Sequence, residues 1–328
     1  MILILTNSRD TSADIIEEYL INGGNKYFRI NAEDFIFKSF TFSIKSNELN
    51  IDSKIINIST IKIVWFRKFG NIRELSFYKE IRRKYGDVIA NQLINEHYEI
   101  LHTIIDLFKN HKWLTDPSTL ALSKITILKY ADEVGLKTPN TQITNQKKDL
   151  VKMINKEKEV ISKSIFEALF YDYKQNSYSM FTKVINSQEI KSFPILFFPS
   201  LIQQSIKKEY EIRVFYLERK CYSMAIFSQN DSSTKKDFRI YNWDKPIRFV
   251  PYKLDKSIER KIIELCDKIN INCCSIDLIK DTKGDYIFLE INQVGEFGMV
   301  SYPCDYNLHK EIYKTLLNYD KYEIQTKN

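Results

Sequence analysis

The sequence predicts a mixed α/β protein with two or three domains. Its 328 residues are more than one simple hydrophobic core organises. An apolar strand over residues 1–5, an amphipathic helix over 11–22 and a second strand over 26–30 make the β-loop-α-β opening of an α/β domain. Near the other end, residues 275–280 and 285–292 have the composition of strands and flank a turn cluster, which predicts a β-hairpin.

The composition is that of a globular protein and narrows the class of partner. Hydrophobic residues make up 44% of the chain and charged residues 28%, both ordinary values. The net charge of +7 is mild, and it suits nucleotides or acidic peptides as well as nucleic acid. Because the chain carries no nucleic-acid recognition motif, we expect no nucleic-acid partner.

Cysteine usage and hydropathy predict a cytoplasmic protein. The five cysteines include no C-x-x-C pair and the four histidines no i, i+4 pair, so the sequence predicts neither a zinc site nor a disulfide framework. The apolar run at residues 1–5 is too short for a signal peptide, and no run approaches the length of a membrane span. We therefore expect a reducing compartment and no membrane partner.

The first predicted domain covers residues 1–116. It contains a hairpin over 41–52, a central strand over 61–67 and a long helix over 86–110, and Asp116-Pro117 ends it. Arg67 ends the aromatic strand, either as a solvated cap or as a ligand contact beyond the carboxyl end of the sheet. We predict that Arg67 holds an acceptor carboxylate through both arms of its guanidinium group.

The second predicted domain covers residues 117–200. A helix over 118–134 carries Lys124 in its first half, and a strand over 159–164 ends near Lys163, ahead of another strand over 177–185. The segment after Lys163 is aromatic and lacks glycine, so we expect a peptide-docking surface rather than a tight lid. Its tyrosines are the expected anchors, whereas core filling is the favoured role of two phenylalanines: Tyr171, Tyr173 and Tyr178 against Phe197 and Phe198.

The third predicted domain covers residues 201–328. The stretch 201–214 is strand-like, and its Glu211 and Arg213 share one face because they are two residues apart. A surface Glu–Arg pair is the alternative to a functional pair. A strand over 221–229, a helix over 255–270, the hairpin and a last helix over 311–317 complete the domain.

The hairpin carries a candidate metal site. If Lys280 pairs with Asp285, Asp277 lies opposite Phe288 and shares one face with Glu290 and Asn292. Two carboxylates and a carboxamide on such a face are costly without a partner, and Mg²⁺ with phosphate oxygens suits them. An edge hairpin with a solvated polar face is the alternative.

Four stretches carry a family resemblance. EINQVGEFG, from Glu290 to Gly298, resembles the closing motif of the ATP-grasp ligases, and the form LEINxVGxFG resembles the graspetide (microviridin-type) peptide maturases. Lys124 followed by GLKTPNT at 135–141 resembles the start of an ATP-grasp domain, and WFRK at 65–68 matches a graspetide motif. The segment with Asp237-Phe238-Arg239 resembles the grasp-with-spasm ATP-grasp peptide maturases, the group to which the chain is most similar.

The resemblance implies an ATP-grasp fold of the α/β (α+β) class. Its parts are an N-terminal α/β pre-ATP-grasp domain, a small central domain and a C-terminal antiparallel-sheet domain with the Mg/ATP site. The sequence departs from the family pattern at Gln204, where Glu is common, and in having no glycine over 136–283 to cradle phosphates.

The resemblance also implies roles for individual residues. Arg213, Arg239 and Lys163 act on the transferring phosphoryl group, and Arg213 joins Arg67 in facing the acceptor. The two Mg²⁺ ions are held by Asp277, Glu290 and Asn292. ATP contacts comprise the phosphate-facing lysines, the adenine hinge, the ribose acid and the two metal carboxylates: Lys124, Lys163, Gln204, Ser205, Ile206, Glu211, Asp277 and Glu290.

The implied activity is an ADP-forming ligation of side chains. Asp or Glu side chains of a ribosomal precursor peptide become acyl phosphates, and hydroxyl or amine attack closes ester or amide macrocycles. Two alternatives stay open: a RimK-like amino-acid or glutamate ligase for a small or C-terminal substrate, and a non-catalytic nucleotide-binding peptide carrier. The predicted partners are the leader-bearing precursor, a second copy of the chain in a homodimer, and a SPASM-type radical enzyme of the same pathway.

Overall fold

The computed structural model describes residues 1–70, 72–166, 170–173, 176–179, 182–228 and 247–321. The chain divides into two compact units. The first unit comprises Met1–Ala121, Ile271–Cys273 and Asp305–Asn328, and the second comprises Leu122–Asn270 and Cys274–Cys304. The division into three domains at 116 and 200 stays a prediction.

The helices and strands follow one another along the chain as mixed α/β elements. The first part contains β1 Ile2–Thr6, α1 Thr11–Asn22, β2 Tyr27–Asn31, α2 Asp34–Phe37, β3 Phe40–Ser43, β4 Glu48–Ile51, β5 Lys54–Asn57, β6 Ile63–Phe66, α3 Ser76–Tyr85, α4 Asp87–Leu107 and β7 Lys112–Leu114. The middle contains α5 Lys124–Glu133, β8 Thr141–Gln146, α6 Lys147–Glu157, β9 Val160–Lys163, β10 Phe170–Tyr173, β11 Asn176–Ser179, β12 Lys183–Ile185, β13 Leu196–Gln204, β14 Lys208–Leu217 and β15 Lys220–Phe227. The last part contains β16 Arg248–Tyr252, α7 Lys256–Lys268, β17 Cys273–Asp281, β18 Tyr286–Asn292, α8 Gly298–Cys304 and α9 Leu308–Lys321.

The first unit is built on a parallel sheet with the strand order β2-β1-β6-β7. The apolar residues of β1 are fully buried in it, as expected for a central strand flanked on both sides. Helix α1 has the predicted bounds and ends where Gly24 takes φ +63°, a conformation that glycine adopts without strain. A separate antiparallel sheet, β3-β4-β5, packs on the same core through Leu49, Ile51 and Ile56.

The second unit contains two larger sheets and a hairpin. The first sheet has the order β12-β9-β13-β8, and α6 packs on it through a cluster that includes Leu150, Met153 and Ile202. The second sheet has the order β16-β15-β14-β17-β18, and β10 pairs with β11 as the hairpin. None of the described helices has the length and apolar character needed to cross a membrane.

Several predicted bounds were wrong. The helix predicted over 118–134 is a 3-10 turn, Pro117–Ala121, followed by α5, because the Ser123 hydroxyl accepts the N–H of Thr126 and starts a new helix. Lys124 is therefore the first residue of its helix. The stretch 201–214 is likewise two strands, β13 and β14, and the strand predicted over 177–185 is split between β11 and β12.

A buried ion pair ties the loop after β1 to the end of β6 in the first unit. Arg67 Nε donates to Asp10 Oδ2 at 2.9 Å and Nη2 donates to Oδ1 at 3.2 Å, and both side chains are 1% exposed. Burial by itself raises the pKa of Asp10, but the hydrogen bonds and charge of Arg67, with the Thr6 hydroxyl, outweigh burial and lower this pKa. The carboxylate is therefore held charged by the fold.

We expect Asp10→Asn to destabilise the first unit by about 3–5 kcal/mol at neutral pH, because it removes a buried carboxylate charge that accepts two hydrogen bonds from the buried guanidinium group of Arg67. The free energy of unfolding from urea titrations measures the loss. Asp14→Asn is the matched control, because Asp14 pairs with Arg29 from a half-exposed position and such pairs contribute about 1 kcal/mol or less.

The lowered Asp10 pKa fixes the sign of the pH dependence. Its stabilisation is complete above the ordinary aspartate pKa and is lost as the pH falls through the lower folded value. The advantage of the wild type over Asp10→Asn should therefore shrink only in acid. An equal, small effect of both substitutions at neutral pH would contradict the structural role of the pair.

Candidate active site

The hairpin of β17 and β18 places Asp277 directly opposite Glu290. The predicted register, with Asp277 opposite Phe288, was wrong. Lys280 pairs with Tyr286 instead of Asp285, and Leu278 pairs with Phe288, so the ladder shifts between Leu278 and Asp277. This β-bulge leaves Leu289 as the additional residue on β18, and it re-aims the following side chains.

The turn explains the first part of the register change. Asp281 donates its N–H to the carbonyl of Asp285, and its Oδ1 accepts the N–H groups of Lys283 and Asp285. Asp285 therefore belongs to the turn and is not available to pair with Lys280. An aspartate that bonds the backbone ahead of it is a known turn former, but composition alone does not set the turn's length.

The carboxylate residues Asp277 and Glu290 are paired across neighbouring strands. Like charges directly opposite each other destabilise a β-ladder. Asn292 extends the group, since its Nδ2 donates to Asp277 Oδ2 at 3.3 Å. The structure thus brings together the three side chains predicted to hold Mg²⁺.

The donor set fits a hard divalent cation. Carboxylate and carboxamide oxygens are the ligands Mg²⁺ prefers, usually with water or substrate phosphates completing the shell. Among the described residues, no group of three or more His, Cys, Asp or Glu side chains could hold a metal by itself. Two carboxylates and one amide therefore suit an ion that shares its shell with a phosphorylated substrate.

Two lysines from other elements approach the carboxylate of Glu290. Lys124 Nζ lies 3.8 Å from Glu290 Oε2, and Lys163 Nζ lies 4.0 Å from the same oxygen. Lys124 comes from the start of α5, where Nζ also donates to the carbonyl of Phe166 at 3.1 Å, and Lys163 comes from the end of β9. The helix capped by Ser123 and the end of β9 thus each place a lysine ammonium group near the same oxygen of Glu290.

Arg213 reaches the other carboxylate from β14. Its Nη1 lies 3.3 Å from Asp277 Oδ1 and 3.4 Å from Oδ2, and the side chain is 11% exposed. The buried Nε of Arg213 makes no hydrogen bond to any described residue. Three cations from three elements therefore surround two carboxylates, an arrangement with spare donors for an anionic substrate.

The predicted adenine hinge lies at the break between β13 and β14. Gln204 donates its N–H to the Asn140 carbonyl at 2.8 Å, and Ser205 donates its N–H to the Glu159 carbonyl at 3.1 Å. The Ser205 hydroxyl also donates to Glu159 Oε1 at 2.6 Å. The backbone N–H groups of Gln204 and Ser205 are therefore already used. Within the described part of the chain, the backbone N–H of Ile206 is the hinge donor that remains for a ligand.

Glu211, the predicted ribose acid, forms an ion pair with Lys208, which the sequence analysis missed. The contact was not expected because residues three apart on a regular strand point to opposite faces. The only sequence signal was the pair of lysines in IKKEYEIR, which also fits an exposed strand end.

Some predicted residues lie elsewhere. Arg67 belongs to the first unit, where its guanidinium group binds Asp10, and its role toward an acceptor stays a prediction. Arg239 and the side chains of the three anchor tyrosines, Tyr171, Tyr173 and Tyr178, lie outside the described residues. Phe197 packs against the α6 cluster as expected, but the core role of Phe198 was wrong, because its side chain is 85% exposed.

Comparison with known protein families gives one match over most of the chain. The model of the RimK-like ATP-grasp domain matches residues 121–316, which include every cation and carboxylate of the cluster. Among curated proteins, no sequence matches the chain.

Solved structures of peptide-modifying enzymes are similar over nearly the full length. A Chryseobacterium gregarium RiPP-associated ATP-grasp ligase, in complex with ADP and a leader and core peptide, is 25% identical with a TM-score of 0.81, covering 97% of this chain and 96% of that chain. The macrocyclase MdnC from Microcystis aeruginosa MRC, bound to the precursor peptide MdnA, is 25% identical with a TM-score of 0.80, covering 97% and 99%. The ligase PsnB, complexed with a minimal precursor, Mg and ADP, is 12% identical with a TM-score of 0.79 over 98% and 97%, which shows a shared fold.

We expect Glu290→Gln to change the free energy of unfolding by no more than about 1 kcal/mol. Its contacts with Lys124 and Lys163 are long and 27% of its side chain is exposed, so they contribute little, and the substitution relieves repulsion with Asp277. Urea titrations measure the change.

Asp10→Asn serves as the destabilising reference in the same titrations. A loss above about 3 kcal/mol in Glu290→Gln would identify Glu290 as a structural carboxylate and remove the reason to place function there.

Proposed function

Because the chain belongs to the RimK-like ATP-grasp family, we propose that it is an ADP-forming ligase that closes ester or amide macrocycles in a ribosomal precursor peptide. The activated groups are Asp or Glu side chains of the peptide, and the attacking groups are its hydroxyl or amine side chains. The observation that carries the proposal is the carboxylate pair of Asp277 and Glu290, set opposite each other and surrounded by Lys124, Lys163 and Arg213.

The residues of the second unit divide the work of binding ATP. The oxygens of Asp277, Glu290 and Asn292 suit two Mg²⁺ ions, and bound Mg²⁺ neutralises the phosphate charge that develops during transfer. Lys124 and Lys163 lie within 4.0 Å of Glu290, so each can move its ammonium group to a phosphate oxygen when substrate is present. The hinge at 204–206 offers the Ile206 amide to adenine, and Glu211 accepts hydrogen bonds from the ribose.

The acceptor carboxylate needs a cation on the far side of the phosphate. Arg213 supplies it, because its Nη1 already contacts the carboxylate of Asp277 and its buried Nε–H is an additional donor. A substrate carboxylate oxygen then attacks the γ-phosphorus, and ADP leaves. Arg239 is proposed to stabilise the same phosphoryl group, and Arg67 to contact the acceptor peptide.

Ring closure consumes the acyl phosphate. A hydroxyl or amine of the peptide attacks the activated carbonyl carbon, gives up its proton, and releases inorganic phosphate. Each bond formed therefore removes one water from the peptide and converts one ATP to ADP. The protein has to orient two side chains of one peptide at the same time. The cluster of carboxylates and cations is too small for this, so ring closure needs additional peptide-binding surface.

A peptide is a better substrate than a free amino acid for three reasons. The two solved structures at 25% identity are complexes, one with a leader and core peptide and the other with a precursor peptide, and both are similar to this chain over 97% of its length. The net charge of +7 favours an acidic peptide. Phe198, Ile195 and Leu196 are exposed in the second unit and provide apolar contact surface.

Further proposals concern the partners of the chain and its location in the cell. We propose that the leader of the precursor binds this enzyme, that the chain forms a homodimer and that a SPASM-type radical enzyme acts in the same pathway. The cysteines are all free thiols, which supports a cytoplasmic location.

Incubation with ATP, Mg²⁺ and leader-bearing acidic peptides encoded near the gene tests the proposal. We expect ADP formation with such a peptide, and mass spectrometry should show the loss of one water for each ring. Free Glu and free Asp should not stimulate ADP formation, because they lack the leader and the peptide chain that would position a carboxylate beside the nucleotide.

Glu290→Gln is the control for this experiment, since it should keep its fold while ring closure falls by two orders of magnitude or more, about 3 kcal/mol of lost transition-state stabilisation. Stimulation by free amino acids, with none by any leader-bearing peptide, would support the RimK-like amino-acid ligase instead. ATP binding without any turnover would support the peptide carrier.

A further inference from the structure

A second ion pair lies near the start of β14, on the strand that carries Arg213. The ammonium group of Lys208 contacts Glu211 Oε1, and the two side chains are only 8% and 13% exposed. Taking an ammonium group and a carboxylate out of water is costly, and a buried pair seldom repays that cost in stability. Stability therefore gives a weak reason for this pair.

The local backbone makes the contact feasible. The ladder between β14 and β15 begins with Glu211 opposite Ile226, so Lys208 precedes that ladder. The exposed neighbour Lys207 is held by its backbone, because its carbonyl accepts the N–H of Thr282 at 3.1 Å. Lys208 can consequently fold its side chain toward Glu211 instead of following the strict alternation of a regular strand.

The pair lies on the face of the sheet that carries the metal cluster. Glu211 and Arg213 are two residues apart on β14 and point to the same side, and Arg213 contacts Asp277. A nucleotide on this face brings its polyanionic phosphates toward a strand that already carries the Glu211 carboxylate. Without a cation beside it, that carboxylate repels the nucleotide.

We propose that Lys208 is a positioning residue for ATP: it neutralises Glu211 and holds its carboxylate toward the ribose. The proposal rests on the proposed function, which gives Glu211 its ribose role. The two oxygens of a carboxylate accept several hydrogen bonds, so the pairing at Oε1 is compatible with acceptance from the ribose hydroxyls. Lys208 therefore acts on nucleotide affinity and sugar selectivity, whereas the phosphoryl transfer itself belongs to the cluster.

Steady-state kinetics of nucleoside diphosphate formation by Lys208→Met, with ATP or 2′,3′-dideoxy-ATP as the nucleotide, test the proposal. We expect KM for ATP to rise about tenfold or more, the loss typical of a weakened hydrogen bond to a charged group, while kcat stays within about twofold. The preference for ATP over the dideoxy nucleotide should fall toward that of Glu211→Gln. Lys208→Arg should restore most of the affinity, because it returns the cation.

Two further variants keep the result interpretable. Lys207→Met is the matched control, since its side chain is exposed one residue away, and KM should stay within about twofold of wild type. The double variant Lys208→Met/Glu211→Gln removes both charges of the pair, so neither charge is left without the other, and it should discriminate sugars no worse than Glu211→Gln alone.

Wild-type KM and sugar preference in a folded Lys208→Met would overturn the proposal. Equal losses in KM and kcat, without rescue by Lys208→Arg, would also overturn it and leave the pair a packing role. If Glu211→Gln keeps full preference for ATP over the dideoxy nucleotide, the ribose role of Glu211 and this proposal both fail. Ring closure by the wild type would support the ligase in that case, so the two failures are distinguishable.

Discussion

The repulsion between two carboxylates on paired strands is the constraint that the second unit is built around. Asp277 and Glu290 are opposite each other because of a bulge, and a β-ladder does not tolerate such a pair without compensation. The compensating charges come from outside the hairpin. They are Lys124 at the start of α5, Lys163 at the end of β9 and Arg213 on the neighbouring strand β14. Each cation sits at 3.3–4.0 Å, close enough to screen the carboxylates and loose enough to exchange partners when a substrate brings its own charges.

Two arginines show how burial separates structural from functional charge. Arg67 and Arg213 both pair with an aspartate, and both are predicted to bind the acceptor. Arg67 forms two hydrogen bonds to Asp10 in a site that is 1% exposed, whereas Arg213 meets Asp277 at longer distances with a donor to spare. The first pair fixes a loop against a strand in the first unit, and the second leaves capacity for a ligand. The two compact units thus use the same chemistry for different purposes.

The sequence predicted which residues lie together at the site better than it predicted their geometry. The residue types of the hairpin left a metal site and a solvated face as alternatives, and the family resemblance selected Asp277, Glu290 and Asn292, which the structure brings together. The register could not be predicted, since it depends on a turn that includes Asp285 through hydrogen bonds of Asp281 and on a separate bulge at Leu289. Lys208 was missed for a related reason: its contact with Glu211 breaks the two-residue period on which strand predictions rely. The start of α5 was missed because the Ser123 cap competes with a longer helical pattern.

Isotope transfer from the peptide tests the central claim, activation of side-chain carboxylates as acyl phosphates, most directly. A leader-bearing precursor peptide is prepared with oxygen-18 in its Asp and Glu side-chain carboxylates and is incubated with enzyme, ATP and Mg²⁺. Attack by a carboxylate oxygen on the γ-phosphorus transfers one labelled oxygen to inorganic phosphate for each bond closed, and leaves ADP unlabelled. Label in AMP, or ring closure with unlabelled phosphate, would contradict the account.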